Sequence, residues 1–276
     1  MRLPAWLCDS GHVDARPPRR PLDAAALAAS LGHRSGDLRV LAETGSTNAD
    51  AAQWAREGAP HGSVVTADHQ LAARGRLDRT FSMPERSGIA VSVVWRPEVP
   101  LRHWVWLPLA AGLALDATLV DLGVRGRLKW PNDVLVDGRK ISGILLERVE
   151  TPGTESTAAA VVGVGLNVDL TEDELPVPHA TSLRIAGAAE LDRGRVLPLL
   201  LGHLDEVYRR WEQGEPAELR AAYVARCDTV GRVVDVAMPD GSVLHGRAED
   251  VDVDGRLVVA GTAVSAGDVT HVRARD

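Results

Sequence analysis

Three stretches of this chain set cationic, amide and glycine residues at spacings suited to chemistry on an anionic substrate. In the first, Gln70 precedes Arg74, Gly75, Arg76 and Arg79 just after a β-branched run. Guanidinium groups on a flexible loop suit phosphate, because each offers paired N–H donors matched to two oxygens. A solvated basic loop fits the same residues, and there is no GxxxxGK pattern of a standard P-loop. The second stretch is Lys129-Trp130-Pro131-Asn132-Asp133, followed by Asp137-Gly138-Arg139-Lys140-Ile141-Ser142-Gly143. Pro131 removes a backbone donor and fixes a bend. The hairpin that follows returns the chain, so Lys129, Asp133 and Lys140 are brought close without help from distant residues. Surface charges on a hairpin are the plainer account. The third, Gly163-Val164-Gly165-Leu166-Asn167, places glycines inside a strand-like run, which marks a bulge, tight packing or a close ligand.

The elements that must hold these stretches follow from periodicity and punctuation. Leu22 to Leu31 is predicted helical, with Asp23 near its start and Gly32 just past its end. A short strand spans Arg39 to Glu43. Ser46-Thr47-Asn48 then leads into an Ala-rich helix that Gly58 stops. All three are good N-caps, so one of them is expected to cap it. Strands are predicted over Val64–Ala67, Ile89–Trp95, Lys140–Val149 and Ala159–Val168. A long central helix closes at Gly123, with Trp104 and Trp106 assigned to the core. Helices over Arg193–Gln213 and Ala217–Arg226 follow. After Cys227 come short strands with turn residues between them: Val230–Ala237, Val243–Val251, Arg256–Val259 and Ala263–Val272. That grammar indicates a small all-β barrel or sandwich. The chain therefore divides into an Arg/Pro-rich arm at 1–21, a mixed α/β unit at 22–227 and a β unit at 228–276.

Composition narrows the function classes. The 276 residues are 45% hydrophobic and 25% charged, with a net charge of -7 that opposes a dedicated DNA-binding role. Two cysteines, Cys8 and Cys227, cannot build a disulfide framework. No cysteine or histidine has metal-ligand spacing, so no protein-held metal is expected. The longest apolar run, Trp104 to Leu115, contains Pro108 and Gly112 and is too short to span a bilayer. A cytoplasmic protein with neither a membrane nor a DNA partner is expected.

Taken in order, the motifs resemble the biotin–protein ligase family. Its pattern is an S-T-N element, a G-R-G-R-x-G-R loop, K-W-P-N-D, a K-x-x-G-I-L strand and a G-x-G-x-N strand. Here these are Ser46 to Asn48, Ala73 to Arg79, Lys129 to Asp133, Lys140 to Leu145 and Gly163 to Asn167. Ala73 and Asp78 stand where the loop pattern has glycine, so a stiffer, less basic loop is expected, with activity retained. The Arg/Pro-rich start differs from the helix-turn-helix of the family's repressors, so the ligase-only form is expected.

The resemblance implies an α/β (α+β) mixed-sheet catalytic domain of the biotin/lipoate ligase type, related to class II aminoacyl-tRNA synthetases, with a small C-terminal SH3-like β-barrel. It implies two steps: biotin and ATP form biotinyl-5′-AMP, and a lysine of a biotin carboxyl carrier domain, in an acetyl-CoA or propionyl-CoA-type carboxylase, accepts the biotin. Lys140, Arg76 and Asp133 are then the expected catalytic residues. Ser46, Thr47, Asn48, Gln70, Arg74, Gly75, Arg76, Lys140, Gly143 and Gly165 would bind biotin. Arg74, Arg76, Arg79, Lys129, Asn132, Lys140 and Asn167 would bind ATP or the adenylate, with Mg²⁺ accompanying ATP on its phosphate oxygens. A lipoate–protein ligase is the nearest rival.

Overall fold

A computed structural model describes residues 18–32, 36–76, 81–151 and 158–272. In chain order the first part contains α1 (Ala24–Leu31), β1 (Leu38–Thr44), α2 (Thr47–Arg56), β2 (Ser63–Gln70), β3 (Gly88–Trp95) and α3 (Trp106–Asp121). Then come β4 (Arg127–Lys129), β5 (Asp133–Val136), β6 (Arg139–Glu150), β7 (Ala158–Asn167), α4 (Arg193–Glu212) and α5 (Pro216–Arg226). These strands form a seven-stranded sheet in the order β1-β2-β3-β7-β6-β5-β4. Only β1 and β2 run parallel; the remaining pairs are antiparallel.

Strand alternation gives this sheet two unlike faces. Ile144, Val162, Val164 and Leu166 point into the main core with Leu107, Leu115 and Leu119 of α3 and Leu200 and Leu204 of α4. Each such fully buried leucine contributes about 1.5–3 kcal/mol. On the other face Val65, Val94, Val149 and Val161 meet Ala51, Trp54 and Ala55 of α2. Helix α2 is short, and beyond its N-terminus this face carries Ala90, Gly165 and Gly143 side by side in register. With no large side chain of their own, these positions leave backbone on which side chains from neighbouring segments can lie.

The β5–β6 hairpin turns on Asp137 and Gly138, with φ of 50° and 74°, the left-handed pair that a two-residue turn needs. Its register then shifts: Val134 faces Ser142, whereas Leu135 faces Lys140, leaving Ile141 as the extra residue. Lys140 and Gly143 are three apart and would point to opposite faces of a regular strand. The bulge re-phases the strand, sends Ile141 into the core and puts Lys140 on the glycine face.

The second part is a five-stranded antiparallel sheet of β8 (Val233–Ala237), β9 (Val243–Val251), β10 (Leu257–Val259), β11 (Thr262–Val264) and β12 (Asp268–His271), in the order β11-β10-β9-β8-β12. The single strand expected over Ala263–Val272 is two strands on opposite sheet edges, parted by the turn at Ser265 to Gly267. Two indole N–H groups of the first part hold the loop between β9 and β10: Trp106 Nε1 of α3 donates to Val253 O at 2.8 Å and Trp130 Nε1 to Gly255 O at 3.0 Å. Gly255 has φ +78°, and a Cβ there would lie 3.2 Å from Leu109 Cδ1, so a side chain would wedge the contact apart.

Candidate active site

Over the glycine floor lies a cleft of about 460 Å³ including its open mouth. Each glycine makes room for a side chain of the site. A Cβ on Gly163 would stand 2.0 Å from Asn48 Oδ1, one on Gly165 2.4 Å from Phe81 Cε1, and one on Gly143 3.0 Å from Lys140 Nζ. The cleft thus has a polar end at the start of α2 and a cationic end at Lys140.

At the polar end, Gln70 Oε1 accepts from the Thr47 backbone N–H at 2.8 Å and lies 3.1 Å from Thr47 Oγ1. The helix is expected to be capped by Ser46, Thr47 or Asn48; Ser46 holds the N-cap position, yet its side chain makes no capping hydrogen bond. Gln70, from the end of β2, takes one of the unpaired first-turn amides instead. Ser46 remains at the cleft wall. Thr47 and Asn48 are 4% and 3% exposed, so their polar atoms must find partners within the protein or a ligand.

At the other end Lys140 Nζ stands 2.6 Å from Asp133 Oδ1 and 5.7 Å from the centroid of the Phe81 ring. The Lys140 backbone is pinned on both sides, its N–H donating to His179 O and its carbonyl accepting from Thr181 N–H. Arg74 and Gly75 line the cleft, with Arg74 Nη1 3.4 Å from Glu147 Oε1. Arg76 turns elsewhere, donating to Asn132 Oδ1 at 3.3 Å and Gly267 O at 3.4 Å. It borders a second hollow of about 610 Å³, open to solvent, among Pro108, Leu109, Trp130 and Gly255.

Asn132 is locked onto β6, its side-chain N–H donating to Ile144 O and its carbonyl accepting from Ile144 N–H, both at 2.9 Å. Lys129 faces Asp133 across β4 and β5. Burial holds the His271 imidazole pKa down to about 4, with Lys129 and Arg232 adding to the effect against Asp228. Asn167 is buried; its Nδ2 donates to Thr181 O at 2.8 Å, while its Oδ1 has no partner among the described residues. Arg79 and Asp78 lie outside the described residues.

The structure thus gathers Ser46, Thr47, Asn48, Gln70, Arg74, Gly75, Lys140, Gly143 and Gly165 around one cleft, with Asp133 bound to Lys140. Arg76, Lys129, Asn132 and Asn167 do not line it. Three residues escaped the sequence reading: Phe81, Ser92 and Glu147. Phe81 is the chain's single phenylalanine, and a large apolar residue amid a polar loop was its signal. Glu147 continues the Gly143–Leu145 alternation onto the open face, where a carboxylate in an apolar strand needs a reason. Ser92 carried no signal.

Residues 40–167 match the family described as Biotin/lipoate A/B protein ligase. The biotin--[acetyl-CoA-carboxylase] ligase of Mycobacterium tuberculosis is 44% identical in a 268-position alignment that covers 92% of this chain and 97% of that protein. The chain belongs to the biotin/lipoate A/B protein ligase family. A Paracoccus denitrificans protein, also a biotin--[acetyl-CoA-carboxylase] ligase, is 33% identical and covers 81% of this chain and 94% of its own length. Among solved structures, the biotin protein ligase from Aquifex aeolicus in complex with biotin and ATP superposes with a TM-score of 0.72 at 25% identity. That match covers 86% of this chain and 99% of the other.

Proposed function

We propose that this protein is an ATP-dependent biotin–protein ligase that modifies a lysine of a biotin carboxyl carrier domain. The observation that carries the proposal is a single glycine-floored cleft with a buried hydrogen-bonding cluster at one end and Lys140 at the other. Biotin has the matching polarity, a ureido ring at one end and a carboxylate at the other, joined by an apolar middle. A buried ureido group must have its hydrogen bonds met, and Thr47 and Gln70 stand where they can meet them.

In the first step a biotin carboxylate oxygen attacks the α-phosphorus of ATP, and the bond to the leaving pyrophosphate breaks. Two anions must approach one another. Lys140 lies at the end of the cleft where they meet, and its ammonium offsets their repulsion and the charge that builds on the phosphoryl oxygens. Asp133 holds that ammonium in place until the substrates arrive. Arg74, exposed on the loop, closes over the phosphates and keeps water from the anhydride. Arg76 and Lys129 would add positive charge on the side of the leaving pyrophosphate, with Asn132 and Arg79 as further contacts to the nucleotide. In the second step a carrier lysine amine attacks the biotinyl carbonyl carbon and AMP leaves; Asp133 is the base nearest to orient that amine. The carboxylate beside Lys140 is already engaged, so Mg²⁺ would be held chiefly by ATP phosphate oxygens.

No helix among the described residues is long and apolar enough to cross a membrane. We assign the reaction to the cytoplasm because it consumes ATP. We also divide the chain at Cys227, with residues 22–227 as the ligase unit and 228–276 as a β unit supporting it.

Biotin-dependent release of pyrophosphate from MgATP tests the reading. Release with biotin alone, before any carrier is added, is the expected result. Release with lipoate or octanoate in place of biotin would overturn the choice of substrate.

A further inference from the structure

Beneath the polar end of the cleft a chain of hydrogen bonds runs from Thr47 and Asn48 into the sheet. Asn48 Nδ2 donates to Glu147 Oε2 at 3.0 Å, and Ser92 Oγ lies 2.6 Å from Asn48 Oδ1 and 2.9 Å from Thr47 Oγ1. Ser92 is fully buried, and Glu147 is a β6 residue outside the cleft lining. The polarity of this chain follows from what each group can do. A carboxylate oxygen only accepts, so the amide nitrogen of Asn48 must face Glu147 and its oxygen must face Ser92. The amide oxygen also only accepts, so it takes the one proton of the Ser92 hydroxyl. Ser92 can then only accept from Thr47. The Thr47 proton goes to Ser92 or to Gln70 Oε1, in either case to an acceptor within the protein. Thr47 Oγ1 consequently turns lone pairs, and no proton, toward a ligand.

We infer that Glu147 is a positioning residue that sets this polarity, acting through Asn48 and Ser92 to make Thr47 an acceptor for a ring N–H. The inference rests on the assignment of biotin, whose ureido ring carries two N–H groups. The same carboxylate faces Arg74 through its other oxygen, so it also ties the loop to the floor. Without Glu147 the one acceptor-only partner left to the Asn48 amide nitrogen is Leu145 O, at 3.5 Å, beside a Ser92 hydroxyl that can donate or accept. The amide orientation is then held far more weakly, and the Ser92 and Thr47 protons with it. Gly163 belongs to this device, because any Cβ there would expel Asn48.

The test measures biotin binding by calorimetry without ATP, on the wild-type chain, Glu147→Gln, Ser92→Ala and the double variant. Thermal melts of each report the fold. Glutamine keeps the shape of Glu147 but can donate or accept, so it no longer dictates the Asn48 orientation. Ser92→Ala breaks the chain in its middle by removing one buried atom. Each single variant is expected to weaken biotin binding about tenfold, the scale of a hydrogen bond involving a charged group, with melting little changed. The double variant should be no weaker than the worse single one, because both changes interrupt one chain. Biotin affinity within twofold of wild type in both single variants would overturn the inference, as would losses that multiply in the double variant. A wild-type chain that fails to bind biotin would instead overturn the functional reading on which the inference depends.

Discussion

Strands β6 and β7 present two faces built from alternate residues of the same segments, and the two have opposite designs. One side carries Ile144, Val162, Val164 and Leu166, buried against α3. The other carries Gly143, Gly163 and Gly165, where side chains from α2, β6 and the arginine loop fold onto bare backbone. The first face supplies stability through projecting branched residues. The second supplies function through their absence. Because the period is two, no residue need serve both purposes, and each face can be altered while the other is left standing.

The largest effect is expected from emptying the closed face. Leu166→Ala should cost about 2–5 kcal/mol of unfolding free energy, measured by urea denaturation. Biotin affinity per folded molecule should change little; a large loss of affinity at full folding would break the contrast between the faces. Filling the open face is the complementary change. Gly163→Ala would overpack Asn48 by about 1–3 kcal/mol, which calorimetry should read as roughly a 5- to 150-fold loss of biotin affinity.

A milder perturbation acts on the support beneath the site. Thr229 Oγ1 accepts from Trp130 N–H at 3.1 Å and lies 3.1 Å from His271 Nε2. With burial, Lys129 and Arg232 holding the His271 pKa near 4, the unfolded chain binds its proton first as pH falls. This contribution is complete above about pH 6.5 and is lost progressively between about 6.5 and 4, on the order of 3 kcal/mol. His271→Gln should flatten that part of the stability–pH profile, and an unchanged profile would contradict the assignment. The smallest effect is expected for Trp130→Phe, which deletes the bond to Gly255 O and should cost about 1 kcal/mol, read from the thermal midpoint.

Much of this was visible in the sequence, and what was hidden has physical reasons. The hairpin carrying Asp133 and Lys140 was readable because Asp137-Gly138 specifies its turn locally. The α2 stop at Gly58, φ +97°, was readable for the same reason. The bulge at Ile141 was not, since an extra residue in a strand leaves no mark in composition. It alone explains how Lys140 and Gly143 come to share a face. The loop motif groups Arg76 with Arg74. Two partners of Arg76, Asn132 Oδ1 and Gly267 O, lie 56 and 191 residues away, so only the folded packing reveals them. Glu147 and Ser92 were missed because their contacts to Asn48 also join distant segments.

The central claim is that the open face is a biotin-activating site with Lys140 as its charge centre. The most direct test is transfer of labelled biotin to a carrier domain with MgATP, comparing wild type with Lys140→Ala at equal folded concentration. Robust wild-type transfer, falling about a hundred- to a thousandfold in the variant while its thermal melt is unchanged, is the predicted result. Transfer by Lys140→Ala at the wild-type rate would contradict the account.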